Sequence, residues 1–230
     1  MNSNRKSVEC DYVVIGGGIV GGCIAYYLSR NNKEVICIDS GEFSGSNSNA
    51  GSIHVQLQSR NFRLNPHLID NLLENLPFYK EAVNAWDRLR LMLNVDFDLR
   101  VNGGLMVADN EEQMEFLYKK CQEEKAAGLD VEIIDSNKIK KTYPFLSNKV
   151  VGAEFCAHEG KLNPLVANKS LQEASIRSGV KIMKCETVNH IELKNNEYWI
   201  NTNLRDYICE TVIIAAGSGS GKLAECLNIN

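Results

Sequence analysis

The sequence has no strong candidate for a membrane span. Residues 12–28 are apolar and uncharged, but seventeen residues are at the lower limit for crossing a bilayer, and the five glycines among them weaken a helix. Arg5 and Lys6 precede this stretch, as in a signal peptide, but Glu9 and Asp11 place negative charge at its entrance. We therefore expect a cytoplasmic protein with no membrane span.

Excess charge of one sign and closely paired cysteines are also scarce. The chain has 25 Lys and Arg against 29 Asp and Glu, a formal net charge of −4, which predicts no nucleic-acid partner. None of the eight cysteines forms a C-x-x-C pair, so we expect reduced thiols rather than disulfides, and no metal site. With 44% hydrophobic and 23% charged residues, the composition is typical of a globular protein with a sizeable core.

A glycine-rich segment near the N-terminus lies between a predicted strand and a predicted helix. Residues 11–15 have the β-branched composition of a buried parallel strand, and residues 19–30 are predicted to be helical. A second strand follows at residues 34–39. The segment is therefore predicted to form a strand–turn–helix–strand unit.

Three glycines in this unit follow the pattern G-x-G-x-x-G. Gly16 permits the tight turn, Gly18 lets a pyrophosphate approach the backbone, and Gly21 lets the helix pack closely on the strand. Asp39 lies 23 residues after Gly16, where its carboxylate can accept hydrogen bonds from ribose hydroxyls. The unit predicts a site for an adenine dinucleotide, and the fingerprint is shared by NAD and FAD.

Two later segments differ from those of an NAD-binding domain. Residues 40–59 form a polar run without helical period, which favours a loop that wraps a ligand through its backbone, where further alternation of strand and helix would be expected. Residues 210–221, ETVIIAAGSGSG, predict a buried strand that ends in small residues.

The chain resembles the N-terminal part of the FAD-dependent amino-acid oxidases and dehydrogenases related to glycine oxidase, sarcosine oxidase and D-amino-acid dehydrogenase. The matching segments occur in the family's order: DYVVIGGGIVGGCIAYYLSR, VICIDS, NSNAGSI, VNGGLMVADNEEQ, GKLNP and TVIIAAGS. The resemblance implies an α/β fold with a Rossmann-like FAD-binding domain, residues 1–66 and 145–230. It also implies an inserted α+β substrate domain, of which residues 67–144 would be the first part and the rest would be missing.

The resemblance also implies a set of cofactor-binding residues. FAD would be bound by Gly16, Gly18, Ile19, Val20, Gly21, Asp39, Ser40, Gly45, Ser46, Ala50, Gly51, Ser52, Val188, Ala216 and Gly217. Two positions depart from the family's pattern. The family usually has Glu where Asp39 stands, and an aromatic residue often follows the late glycine where this chain has Ser218.

The activity implied is that of an oxidoreductase that oxidises the C–N bond of an amino acid or secondary amine by hydride transfer to flavin. Because the substrate domain would be incomplete, we expect the isolated chain to turn over amino acids poorly: either the chain is a truncated part of a longer protein, or a second polypeptide completes the site. The alternatives are a non-catalytic FAD- or nucleotide-binding subunit of a larger assembly and, third, an NAD-dependent dehydrogenase. Catalytic residues are not assigned.

The remaining segments predict further elements. Helices are expected at residues 67–76, 78–93 and 111–127, and another begins with an N-cap and proline at Asn163–Pro164. A hairpin of residues 97–101 and 105–108 is predicted around Asn102–Gly103, and later strands at 180–183, 187–193, 198–201 and 211–215.

Two groups of polar residues are weighed as candidates for chemistry. His54 and Gln56 follow the wrapping loop and could face a substrate, although a loop histidine is more often solvated. His158 and Glu159 are adjacent, which favours a surface turn over an acid–base pair.

Overall fold

The computed structural model describes residues 7–41 and 44–229 as a mixed α/β protein. The strands are β1 Ser7–Ile15, β2 Val35–Asp39, β3 Ser52–Ile53, β4 Arg100–Val101, β5 Gly104–Ala108, β6 Val131–Asp135, β7 Gly152–Cys156, β8 Gly160–Lys161, β9 Lys181–Lys184, β10 Val188–Lys194, β11 Glu197–Thr202 and β12 Asp206–Ile214. The α-helices are α1 Ile19–Ser29, α2 Ser59–Leu64, α3 Ile69–Glu74, α4 Leu76–Leu93, α5 Glu111–Ala126, α6 Ser136–Thr142, α7 Pro164–Arg177 and α8 Ser220–Glu225.

The chain folds into two compact units, of which the first comprises Met1–Ala50 and Asn163–Asn230. Its six-stranded sheet has the order β10-β11-β12-β1-β2-β9. Strands β12, β1, β2 and β9 are parallel to one another, whereas β10, β11 and β12 are joined in antiparallel pairs. This arrangement confirms the predicted α/β fold with a parallel sheet.

Alternating side chains of the central strands supply the core on both faces of this sheet. Val13 and Ile15 of β1 belong to one buried cluster, whereas Val14 belongs to another with Ala25 of α1. Because both faces are covered there, residues 13–15 of β1 and 35–38 of β2 read in sequence as continuous apolar runs. Strand β1 begins earlier than predicted because residues 7–10 pair with residues 206–209 of β12.

The second unit, Gly51–Leu162, contains two three-stranded sheets with the orders β3-β8-β4 and β5-β7-β6. Its boundaries differ from the sequence-based boundaries of the substrate domain at residues 67 and 144. The difference arises because β3 pairs with β8, and the amide of Leu162 donates a hydrogen bond of 2.8 Å to the carbonyl oxygen of Gly51. These pairings place residues 51–66 and 145–162 in the second unit.

The hairpin predicted around Asn102–Gly103 is wrong. Strand β4 pairs with β8, whereas β5 pairs with β7 in the other sheet. Gly103 has the positive φ of a turn, +90°, but its amide donates to the carbonyl oxygen of Glu159. The two strands are therefore separated by long-range pairing, with β8 for β4 and with β7 for β5.

The helix predictions are confirmed with small shifts. Pro77 lies in the first turn of α4 and is not the break between two helices. A proline in the first turn removes no intrahelical hydrogen bond, so the helix can include it. Asn163 caps α7 by accepting a hydrogen bond from the amide of Val166, as expected. Among the described residues, the structure contains no helix with the length and apolarity to cross a membrane.

Candidate functional site

The glycine turn, residues 16–21, connects the carboxyl end of β1 to α1. Gly16 has φ +109°, a conformation that favours glycine, and its amide donates to the carbonyl oxygen of Ile38 in β2. A Cβ added to Gly21 would overlap the carbonyl oxygen of Gly16. The first and third glycines of the pattern therefore allow the tight turn and the close approach of helix to strand that were predicted.

The wrapping loop places two serine hydroxyls at the start of α1. The amide of Ile19 donates to Oγ of Ser46 at 3.0 Å, and the amide of Ser46 donates to Oγ of Ser44 at 3.2 Å. A Cβ on Gly18 would lie 2.8 Å from Oγ of Ser46. The absence of a side chain at Gly18 thus allows the loop hydroxyls to approach the positive end of the helix.

Asp39 ends β2 directly beside the glycine turn. Its Oδ2 accepts a hydrogen bond of 2.5 Å from the amide of Gly17, and its Oδ1 accepts one of 2.8 Å from the amide of Gly41. Each carboxylate oxygen has a second lone pair, so both oxygens can still accept a bond from a ligand hydroxyl. The family usually has Glu at this position. The shorter side chain of Asp39 is hydrogen-bonded to the glycine turn through the amide of Gly17.

The late strand β12 reaches the same turn. The amide of Ala215 donates to the carbonyl oxygen of Ile15, and a Cβ on Gly16 would lie 3.0 Å from Cα of Ala216. Gly217 follows in a left-handed conformation with φ +57°. The structure therefore brings Ala216, which lies far along the chain, to the glycine turn.

The other predicted residues are distributed over four places. Val20 is exposed in the first turn of α1, and Val188 begins β10. Ser40, Gly45 and Ala50 are exposed in the segment after β2. Two residues belong to the second unit, where Gly51 is buried and Ser52 lies in β3.

Helix α7 contributes contacts that the sequence analysis missed. Nε2 of Gln172 donates to the carbonyl oxygen of Gly17 at 2.8 Å, and Nδ2 of Asn168 donates to Oδ1 of Asn47 in the loop at 2.9 Å. Asn168 is 3% exposed, and its Oδ1 is buried without a protein hydrogen-bond partner. The sequence signal that could have identified this contact was the polar side chain of Asn168 on the buried face of a capped helix.

In the second unit, Glu159 is buried and holds the segment that follows β3. Its Oε2 lies 2.8 Å from Nδ1 of His54, and its Oε1 accepts from the amides of Val55 and Gln56. Glu159 is 6% exposed, so the predicted surface turn is wrong for this residue. The side chain of His54 is 62% exposed, so a buried carboxylate orients an imidazole ring at the surface.

A second buried carboxylate continues this arrangement. Oε1 of Glu124 accepts a hydrogen bond of 2.6 Å from the amide of Leu57. Nζ of Lys120 lies 2.8 Å from Oε2 of Glu124 and 2.6 Å from Oε2 of Glu154, and all three side chains are inaccessible to solvent. Burial raises the pKa of Glu124 to about 7, although Lys120 acts to lower it.

Metal and thiol chemistry find little support in the described part of the chain. No group of three or more His, Cys, Asp or Glu side chains there is arranged to hold a metal ion. All eight cysteines lie in that part and are free thiols. Burial raises the pKa of Cys10 and Cys37 to about 12, which keeps both thiols protonated at neutral pH.

The family model described as FAD dependent oxidoreductase matches residues 11–229. The chain belongs to this family. The resemblance read from the ordered motifs is thereby confirmed, and FAD, the predicted cofactor, is the cofactor of the family.

Individual members support the assignment. The chain is 26% identical to the glycine oxidase of Bacillus subtilis over 95% of its own length, and 28% identical to the glycerol 3-phosphate dehydrogenase of Caloramator mitchellensis over 96%. It spans 57% and 44% of those proteins, about half of their length. The crystal structure of glycine oxidase from Geobacillus kaustophilus shares the fold with a TM-score of 0.84 at 20% identity, over 96% of this chain and 59% of that one.

Proposed function

We propose that the first unit binds the pyrophosphate and adenosine of FAD at the glycine turn. The proposal is carried by one observation: the start of α1, the two loop serine hydroxyls and the Asp39 carboxylate converge on this turn. Backbone amides and hydroxyls at a helix N-terminus suit phosphate oxygens, and a carboxylate at the end of the second strand suits ribose hydroxyls. The donors and acceptors present therefore fit the cofactor of the family.

The proposed residues would contact different parts of FAD. Ile19 and Val20 would offer backbone at the start of α1 to the pyrophosphate, with the amide of Ile19 exchanging its bond to Oγ of Ser46 for one to a phosphate oxygen. Asp39 and Ser40 would bind the ribose. Val188 would contact the adenine edge through its backbone. The remaining proposed residues would line pyrophosphate and flavin: Gly45, Ser46, Ala50, Gly51, Ser52, Ala216 and Gly217.

The proposed reaction is oxidation of the C–N bond of an amino acid or secondary amine. Bound FAD supplies a two-electron acceptor, and the chain's own residues bind and orient it. An amine with a free lone pair needs no general base on the protein. The similarity to glycine oxidase supports this class of substrate.

The cofactor proposal is tested by calorimetric titration of the chain with FAD and NAD. FAD should bind more tightly, and Asp39→Ala should weaken FAD binding by about 1–3 kcal/mol because ribose hydroxyls lose a buried acceptor. Asp11→Ala is a matched control, since Asp11 also accepts a hydrogen bond from a backbone amide but lies in the middle of β1, five residues before Gly16. Equal binding of FAD and NAD would refute the proposal.

A second candidate function is oxidation of a hydroxyl donor. Removal of hydride from an alcohol requires a group that takes the O–H proton, and His54, held through Nδ1 by Glu159, can accept it at Nε2. The similarity to a glycerol 3-phosphate dehydrogenase supports this class of donor.

The two candidates are separated by anaerobic mixing of the FAD-loaded chain with glycine, sarcosine, proline, D-alanine and glycerol 3-phosphate. Loss of the visible flavin absorbance with amines, unchanged in His54→Gln, supports C–N oxidation. Loss with glycerol 3-phosphate alone, abolished in His54→Gln and retained in the exposed control His190→Gln, supports the hydroxyl donor. FAD binding without reduction by any donor is the result expected both of a non-catalytic FAD-binding subunit and of a chain whose substrate domain is incomplete.

A further inference from the structure

A buried glutamate holds the segment between β9 and β10. Glu186 is 1% exposed, and its Oε1 accepts hydrogen bonds from Oγ1 of Thr202 at 2.6 Å and from the hydroxyl of Tyr207 at 2.9 Å. Its Oε2 lies 3.5 Å from Nε of Arg205. Three groups from β11, β12 and the turn between them therefore converge on one carboxylate.

The backbone around Glu186 connects this network to the proposed ribose acceptor. The amide of Glu186 donates a hydrogen bond of 3.0 Å to the carbonyl oxygen of Asp39. Thr187 exchanges two hydrogen bonds with Asn203, one through the Asn203 side chain at 2.9 Å and one between backbones at 3.0 Å. Val188, which would contact adenine, begins β10 immediately afterwards.

Burial of a carboxylate is unfavourable in free energy compared with burial of an apolar side chain. An ionised group that leaves water must recover its hydration through directed hydrogen bonds, whereas an apolar side chain would fill the same volume without that requirement. The directed bonds of Glu186 fix the orientation of its own backbone. They consequently fix the distance between the end of β2 and the start of β10.

We propose that Glu186 is a positioning residue for the adenosine half of FAD. It holds Asp39 and the backbone of Val188 at the spacing that ribose and adenine require, and it does not itself touch the cofactor. The inference rests on the proposed FAD site. It adds to that site a residue that is not among those the resemblance assigns to FAD binding.

The test compares ligands that contain different halves of the cofactor. Dissociation constants of FAD, ADP and FMN are measured by calorimetry for the native chain and for Glu186→Ala. Glu186→Ala should weaken the binding of FAD and the binding of ADP by a similar factor, about tenfold or about 1.4 kcal/mol, and leave the binding of FMN unchanged. Glu186→Gln retains an oxygen acceptor for the two hydroxyls and should bind FAD within about threefold of the native chain.

Two further variants separate positioning from loss of stability. Ile191→Val removes a buried methyl group from the apolar cluster that also contains Tyr207, without removing a hydrogen bond of Glu186, and should lower the melting temperature while leaving FAD binding unchanged. Tyr207→Phe removes one hydrogen-bond donor to Glu186 and should weaken binding of FAD and of ADP relative to the native chain, by less than about tenfold, without changing FMN binding; this comparison remains usable if Glu186→Ala does not fold.

The outcomes distinguish this inference from the proposal on which it rests. If the native chain does not bind FAD, the cofactor proposal fails and this inference fails with it. If the native chain binds FAD and Glu186→Ala binds it equally well, this inference alone fails. Equal weakening of FMN and ADP, or weakening of FAD by Ile191→Val to the same degree, would also overturn it.

Discussion

Replacement of Glu124 by Gln should remove a pH dependence from the stability of the chain. Glu124, Glu154 and Lys120 have no solvent-accessible side-chain surface, so the ionised trio would bury two negative charges against one positive charge. Burial raises the pKa of Glu124 to about 7 from 4.5, with a contribution in the same direction from Glu154. One proton is therefore retained by the folded trio under conditions in which the unfolded chain has lost it.

The direction of the effect follows from proton binding. Between 4.5 and about 7 the folded chain binds more protons at Glu124 than the unfolded chain, so the free energy of unfolding falls as pH rises. The stabilisation is complete below 4.5 and is lost by about 7, above which this group has no further effect. The gap between the two pKa values corresponds to about 3 kcal/mol as an upper limit.

Urea unfolding at several pH values between about 5 and about 8 measures the effect. In Glu124→Gln the amide oxygen can still accept the hydrogen bond from Leu57, but no proton is gained or lost. The native chain should lose up to about 3 kcal/mol relative to this variant across the range, whereas the exposed control Glu123→Gln should follow the native curve. Parallel curves for the native chain and Glu124→Gln would refute the reasoning.

Two pairs of glycine variants test the turn. Gly21→Ala should destabilise the chain by several kcal/mol because its Cβ would overlap the carbonyl oxygen of Gly16. Gly22→Ala on the same helix, whose Cβ would make an ordinary contact of 3.9 Å with Cβ of Leu171, should raise stability by up to about 1 kcal/mol. Equal melting temperatures of the two variants would contradict this prediction. Gly18→Val should abolish FAD binding in a folded chain because the branched side chain would occupy the approach of the pyrophosphate. The control Gly221→Ala, with nothing within 4 Å of its Cβ and outside the proposed site, should bind FAD normally. Flavin absorbance retained on purified Gly18→Val would contradict the prediction.

Local sequence was sufficient to predict the nucleotide-binding unit. The strand–turn–helix–strand unit is continuous in sequence, and its glycines are required by short-range sterics, so the spacing of Gly16, Gly18 and Gly21 determined its position. Asn163 and Pro164 located the start of α7 for the same reason. Asp39 was placed correctly at the end of β2, but its bonds to the amides of Gly17 and Gly41 were not predicted.

Long-range pairing accounts for what the sequence did not predict. Strands β4 and β5 flank Asn102–Gly103, which predicted a turn between them. They join different sheets because β4 pairs with β8 and β5 pairs with β7. Glu159 was read as a surface residue because it adjoins His158, although its partners lie 103–105 residues earlier in the chain. Adjacency in sequence has no bearing on which distant backbone amides a carboxylate will meet.

The segment from Val55 to Leu57 shows why two buried carboxylates are retained in the second unit. Consecutive amides of this segment donate to side-chain oxygens, Val55 and Gln56 to Glu159, and Leu57 to Glu124. Backbone N–H groups that are satisfied in this way do not need a neighbouring strand, so the segment can be irregular and still be firmly held. A protonated Glu124 can still accept through an unprotonated oxygen, so the proton taken up near neutral pH reduces buried charge without releasing Leu57.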